Sequence, residues 1–302
     1  MKSSFKLDHD TIRRIQIKPG SQFHFKKMDT SWVRYDELRE TLEEKKEAKL
    51  LLRENTLKLS QSQELLYATG TRAVLIVLQG MDAAGKDGTI KHVMSGSNPQ
   101  GCHVQSFKEP SQEELRHNFL WRFGPYLPPK GHIGIFNRSY YEEVLAVKVH
   151  PEWLDRQRIG KEKQTEKLWT GRYEDINAYE HHLTRNGIVV LKFFLHISKT
   201  EQKRRLLERL QDQSKLWKFS PSDLSERAYW DEYTSAYEEA ISATSSKWAP
   251  WYIIPADHKW AARALIADVI VSSIMDLKLR NPEPTPEVRR HLNEFKRKLE
   301  KQ

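Results

Sequence analysis

Cysteine is nearly absent from this 302-residue chain. Cys102 stands alone, so no internal disulfide can form, and a cytoplasmic setting is the expectation. Long apolar runs are missing too. No stretch approaches the roughly 18 residues that a membrane-spanning helix needs. The opening "MKSSFKLDHDTIRRIQ" has no apolar centre and is not expected to act as a secretory signal. Internal repeats and low-complexity segments are also absent. Acidic residues are in deficit, 41 against 50 Lys and Arg, leaving a net charge of +9. A surplus of this size suits a polyanionic partner such as nucleic acid, acidic lipid or a chain of phosphates, and it also serves plain solubility.

What is present reads as an α/β protein. Residues 1–30 show little periodicity and are expected to wrap over a surface. Residues 36–66 place leucines at helical spacing among Glu and Lys, which predicts a long amphipathic helix. "AVLIVLQG" (73–80) is a short continuous apolar run, the mark of a buried parallel strand. Further strands are predicted at 101–107, 131–139, 188–198 and 251–256. Helices are predicted at 110–123, from 140 onward in "YYEEVLAVKVH", at 161–186, after 198, over "DLSERAYWDEYTSAYEEAIS", and after 256. Strands alternating with helices predict a parallel sheet covered on both faces. The expected organisation is an N-terminal extension with the long helix (1–70), a core (71–278) carrying a flap near 203–220, and a C-terminal helix (279–302).

"GMDAAGKD" (80–87) matches G-x-x-x-x-G-K between a predicted strand and a predicted helix, the context that supports a phosphate-binding loop. Its backbone N–H groups and the helix N-terminus favour anions. Lys86 is expected to reach the transferred phosphate. Ala83, Ala84, Gly85, Asp87, Gly88, Thr89 and Lys91 complete the expected phosphate-contacting set in the loop and helix. Asp87 occupies the position where such loops carry a Ser or Thr for Mg²⁺. With Asp82 it puts two carboxylates beside phosphate, which would repel unless cations intervene. Asp82 is therefore the candidate Mg²⁺ ligand. A solvated turn residue and a helix-dipole acid are the plain alternatives for Asp82 and Asp87.

The strand near 133–137 ends at "NRSYYEE". Ligands of open α/β sheets gather at such strand ends. Asn137 stands where an acid often holds metal, Arg138 suits phosphate, and Glu142 and Glu143 follow as candidates for a metal water or an acceptor phosphate. A surface ion pair is the plain alternative for Arg138. In "KRRLLERLQDQSKLWKFS", Arg209, Lys215 and Lys218 are expected to form a cationic flap, whereas Arg204 and Arg205 read as a solvated helix face. His181 and His182 lack metal-ligand spacing. The aromatics of "FLWRFGPY" read as packing.

Taken together, "GMDAAGKDGTIK", "FNRSYYEEVL" with "VHPE" behind it, and "YWDEYTSAYEEAI…APWYIIPADHKWAAR" resemble the polyphosphate kinase 2 family, and its class III members in particular. The resemblance runs from about residue 5 to 278. It implies a P-loop kinase fold like that of thymidylate kinase. It implies phosphoryl transfer between inorganic polyphosphate and AMP, ADP and ATP, dependent on Mg²⁺ or Mn²⁺, in a cytoplasmic homotetramer with no nucleic-acid or membrane partner. Asp82, Lys86 and Arg138 fall on the family's catalytic motifs. Asn137 and Glu142 fall on the acceptor side, with Glu142 where ADP-only members often carry Asn. The competing readings are an ATP-dependent nucleoside monophosphate kinase, against which Asp87 argues, and a non-catalytic nucleic-acid-binding P-loop protein.

Overall fold

A computed structural model describes residues 9–32 and 38–301, and of residues 9–11, 38–42 and 215 the backbone alone. The strands are β1 (Ala73–Gln79), β2 (Cys102–Ser106), β3 (Ile133–Asn137), β4 (Ile188–His196) and β5 (Trp251–Pro255). They form one sheet in the order β2-β3-β1-β4-β5, with every ladder parallel. In chain order the α-helices are α1 (His9–Ile15), α2 (Leu38–Thr69), α3 (Lys86–Val93), α4 (Ala146–Val149), α5 (Trp153–Arg156), α6 (Glu166–Arg185), α7 (Lys199–Gln211), α8 (Ser222–Ala228), α9 (Trp230–Thr244), α10 (Lys259–Met275) and α11 (Pro286–Glu300).

β1 reads as an unbroken apolar run because both of its faces are covered. Leu75 and Val77 pack towards Ile176 and Leu183 of α6 and Tyr237 and Ile241 of α9. Val74, Ile76 and Leu78 pack the other way, towards Leu59 and Leu66 of α2 and Leu265 and Val269 of α10. The strand order places β1 between β3 and β4; the connection from β1 runs towards β2, whereas those from β3 and β4 run the opposite way. A crevice opens at the carboxyl ends of β1 and β3, where such folds bind ligands.

The long helix is part of this core. Leu59 and Leu66 are fully buried, each contributing roughly 1.5–3 kcal/mol. Ala48 meets Ala261 and Ala264 of α10, and Asn55 donates to Asp268 at 3.0 Å. The predicted first residues of this helix near 36 lie outside the described residues. The N-terminal segment does wrap, but not as loose cover: Ile15, Ile17, Phe23 and Phe25 are buried. Gln16 bridges Tyr252, and Ile17 N–H donates to Trp251 O at 2.9 Å, which shields the open edge of β5.

Two predicted helices are not α-helices. Residues 110–123 form only short 3₁₀ turns, Glu114–Arg116 and Trp121–Tyr126. There Arg122 turns inward, donates to Lys108 O at 2.9 Å and lies over the Phe107 and Phe123 rings. "YYEEV" is likewise a 3₁₀ turn (Tyr140–Val144) before the single turn of α4. Both of its tyrosine hydroxyls converge on one carboxylate, donating to Glu180 Oε1 at 2.9 Å. That carboxylate pairs with Lys192 of β4, and both side chains have no exposed surface. Lys192 Nζ donates to Glu180 (2.6 Å), Tyr141 Oη (2.9 Å) and Thr244 O (2.7 Å), which satisfies its three protons. Burial pushes the ammonium's pKa down and the carboxyl's up, and their mutual attraction opposes both shifts. This network anchors the turn that follows Arg138. Glu180→Ala would leave an unpaired buried ammonium, and a loss of about 3–5 kcal/mol is expected in urea unfolding. A loss under about 1 kcal/mol would show the pair to be dispensable.

Candidate active site

Between β1 and α3 the chain makes the tight loop foreseen from the glycine spacing. Gly80 has φ 151°, and a Cβ there would sit 2.9 Å from Leu195 O on the neighbouring strand. Gly85 has φ 106° at the start of α3. Ala83, with φ 61°, holds a left-handed conformation that costs a non-glycine residue energy and marks a constrained loop. Lys86 Nζ folds back to donate to Gly80 O (2.6 Å) and Met81 O (3.3 Å). Burial, followed by repulsion from Arg138, lowers its pKa to about 8.

At the end of β3 the backbone again turns left-handed, with Arg138 at φ 64°. This aims the guanidinium across the crevice to Asp82 Oδ1 (2.7 Å), while its other nitrogen meets Glu142 Oε2 (3.4 Å). Glu142, ahead of burial and Asp82 in size of effect, holds Arg138 strongly protonated. With its amide in the orientation that satisfies both neighbours, Gln79 donates to Glu142 Oε1 (3.0 Å) and accepts from Ser139 N–H (3.2 Å). Asn137 donates to Asp87 Oδ1 (2.8 Å) and Ser106 Oγ (3.3 Å). Burial alone would raise the Asp87 pKa, but the Asn137 bond and the Lys218 charge outweigh it and hold the carboxyl below its usual range.

These groups line one cleft of about 1170 Å³. Asp82, Ala83, Ala84, Gly85, Lys86, Asp87, Gly88, Thr89, Asn137, Arg138 and Glu142 all face it. So do Arg209 and Lys218 from the flap, the first paired with Asp223 (3.3 Å) and the second with Asp87 (3.5 Å). Lys215 sits in the 3₁₀ turn between them, its side chain outside the described residues. Lys91 is the exception. It is exposed a turn further along α3 and does not line the cleft. Glu143 points away from Glu142, is buried with Arg172 (3.7 Å), and accepts from Gln157 (2.6 Å). Arg205, read above as part of a solvated face, is buried against the phosphate loop. Its helical position gave no hint of this, because the neighbouring Arg204 is exposed and pairs with Glu201 and Glu208.

Several cleft cations are not legible as such in the sequence, among them Lys108, Arg122, Arg156, Lys259 and Arg263. Lys259 and Arg263 lie one turn apart on α10, and both are held below their usual pKa by burial and by repulsion from Arg205. They sit in a stretch that reads as a packed apolar helix, and only their i, i+4 spacing sets them on one face. A second cavity of about 540 Å³ adjoins the cleft through Arg122, Glu143 and Gln157. Among the described residues, no group of three or more His, Cys, Asp or Glu gathers around a common point as a metal cage.

A phosphate loop on β1, an arginine at the end of β3 and a basic flap over a parallel 2-3-1-4-5 sheet define a kinase-class P-loop fold. The family is more specific than that. The model of the polyphosphate kinase 2 family matches residues 41–282, and the chain belongs to this family. It is 51% identical over 250 residues to an ADP-polyphosphate phosphotransferase of Rhodopseudomonas palustris, covering 82% of this chain and 86% of the relative. It is 41% identical over 274 residues to an AMP/ADP-polyphosphate phosphotransferase of Meiothermus ruber, covering 90% and 96%. The crystal structure of polyphosphate kinase 2 from Arthrobacter aurescens superposes with a TM-score of 0.80 at 37% identity, covering 92% of this chain and 94% of that one.

The Lys86 pKa carries a sign. Below about 8 the free loop holds a protonated ammonium. An anion binds that form, so its affinity should fall as pH rises through about 8, approaching about tenfold per pH unit well above it. Calorimetric titration with tripolyphosphate from about pH 7 to 9.5 measures the fall, and Lys86→Met should abolish it. An unchanged slope in Lys86→Met would assign the dependence to another group.

Proposed function

We propose that the chain moves phosphoryl groups reversibly between inorganic polyphosphate and nucleotides, accepting both AMP and ADP. One observation carries the reading within the family: Arg138 bridges Asp82 and Glu142 directly above the loop that contains Lys86. The loop's N–H groups and Lys86 seat the terminal phosphoryl group of the polymer. Arg138 exchanges part of its carboxylate contact for the phosphoryl oxygens, offsetting charge in a loose transition state. The acceptor is a phosphate oxygen already ionised at neutral pH, so no strong general base is required. Arg209 and Lys218, released from Asp223 and Asp87, close over the phosphates. Lys259 and Arg263 extend the cationic wall past the loop and give the rest of the polymer a path.

Divalent metal fits the donor set. Mg²⁺ is ordinarily held by one or two carboxylates, with substrate phosphates and water completing the shell, and Asp82 supplies such an oxygen at the loop. When bound, Mg²⁺ or Mn²⁺ neutralises phosphate charge beside the acidic loop. We assign the positive surplus to polyphosphate rather than nucleic acid. Among the described residues no helix is long and apolar enough to cross a membrane, and a cytoplasmic enzyme is the reading adopted. A homotetramer is proposed for the assembly. Exposed apolar residues on α2 (Leu50, Leu57) and α11 (Leu292, Phe295) supply surface for it.

The relatives' names differ in acceptor, so the acceptor is the point to test. Incubation with polyphosphate, Mg²⁺ and AMP should yield ADP and then ATP. Lys86→Ala should reduce turnover by at least about 100-fold with the fold intact by circular dichroism. Glu142→Asn should lower kcat/KM for AMP by a larger factor than for ADP. Product from ATP plus AMP, with none from polyphosphate, would move the chain to the ordinary nucleoside monophosphate kinases.

A further inference from the structure

Arg205 saturates all five of its N–H donors. Nη1 donates to Ala83 O (3.1 Å) and Ala84 O (2.7 Å), Nη2 to Ala256 O (2.5 Å) and Asp257 O (3.1 Å), and Nε to Glu201 Oε1 (2.6 Å). It is only 3% exposed. With every donor engaged on protein oxygen, this cation has none left for a substrate phosphate. One turn before it on α7, Gln202 donates from Nε2 to Asp82 O (3.0 Å) and accepts from Arg227 (2.5 Å). Three successive loop carbonyls are thus held by a single helix. In a planar trans peptide the N–H that follows a carbonyl points the opposite way. Holding the carbonyls of Asp82, Ala83 and Ala84 against α7 turns the N–H groups of Ala83, Ala84 and Gly85 away from it. That of Ala84 closes a turn on Met81 O (3.1 Å). The strained φ of Ala83 persists only if its surroundings over-determine it, and these bonds do so.

We propose that Gln202 and Arg205 are positioning residues for phosphoryl transfer, a clamp that keeps the phosphate loop in its anion-binding shape without touching the anion. The proposal rests on the loop being the polyphosphate seat. Lysine cannot replace Arg205, because three donors on a point charge do not span two pairs of carbonyls. Gln202→Glu is nearly isosteric and keeps a partner for Arg227, yet it sets an acceptor against Asp82 O.

The test compares Arg205→Lys, Gln202→Glu, Lys86→Ala and the exposed-neighbour control Arg204→Ala with the parent. Each is assayed well below its own melting temperature, so that folded protein is compared with folded protein. Arg205→Lys and Gln202→Glu should bind tripolyphosphate at least about tenfold more weakly in calorimetry and raise KM for polyphosphate by a similar factor. KM for the nucleotide should stay within about twofold, a split that general loss of structure would not produce. Arg204→Ala should match the parent. If Lys86→Ala loses binding while the two clamp variants keep parental binding and KM, the clamp is overturned and the phosphate seat stands. If Lys86→Ala binds like the parent, the phosphate seat itself falls. Should Arg205→Lys fail to fold, Gln202→Glu decides alone.

Discussion

A loop that offers backbone N–H groups to an anion must place its carbonyls elsewhere, because each peptide unit carries both dipoles rigidly opposed. In this protein every carbonyl from Gly80 to Ala84 has a side-chain donor. Lys86 takes the first two, Gln202 the third and Arg205 the last two. The donors come from the two ends of the active site: from the helix that begins at the loop and from the helix that leads into the flap. The left-handed turn at Ala83 and the closeness of Gly80 to β4 follow from the same requirement. The remaining features of the site are arranged around a loop held in this way.

Charge then explains the rest of the cleft. A phosphate polymer cannot approach Asp82, Asp87 and Glu142 unless positive charge intervenes. The structure meets part of that need internally, pairing Arg138 with Asp82 and Glu142 and Lys218 with Asp87. These are exchangeable contacts at a half-open cleft rather than buried locks, and so they can be traded for substrate oxygens. The buried Lys192–Glu180 pair is the contrast. It has no access to the cleft, and its effect is to fix the Tyr140–Tyr141 turn that aims Arg138 from behind.

Much of this was legible in the chain. The parallel sheet follows from continuous apolar strands alternating with helices, and the phosphate loop from glycine spacing between a strand and a helix. Arg138 and the flap residues Arg209 and Lys218 are legible as cleft-lining cations because a guanidinium at a strand end and a basic turn after a helix suit phosphate, and all three line the cleft. The helix expected over 110–123 is not formed: a proline near a first turn permits a helix but does not supply its i→i+4 hydrogen bonds, and here the chain makes only 3₁₀ turns, with Arg122 turned inward to bond Lys108 O. Glu143 reads as equivalent to Glu142 in the sequence, but adjacent residues on a turn point in different directions: Glu142 pairs with Arg138, whereas Glu143 is buried with Arg172 and Gln157 where the cleft meets the second cavity.

The sequence by itself determined the architecture, the loop and the chemical class of ligand, because these depend on local periodicity, on glycine stereochemistry and on the sign of charge. Tertiary structure alone decided which cations line the cleft and which hold the loop. Arg204, Arg205, Lys259 and Arg263 are chemically alike in one dimension. Their roles separate only when α7 is packed against the loop after β1 and α10 beside it, which leaves one guanidinium in water, seals another against backbone carbonyls, and lines the cleft with the remaining two.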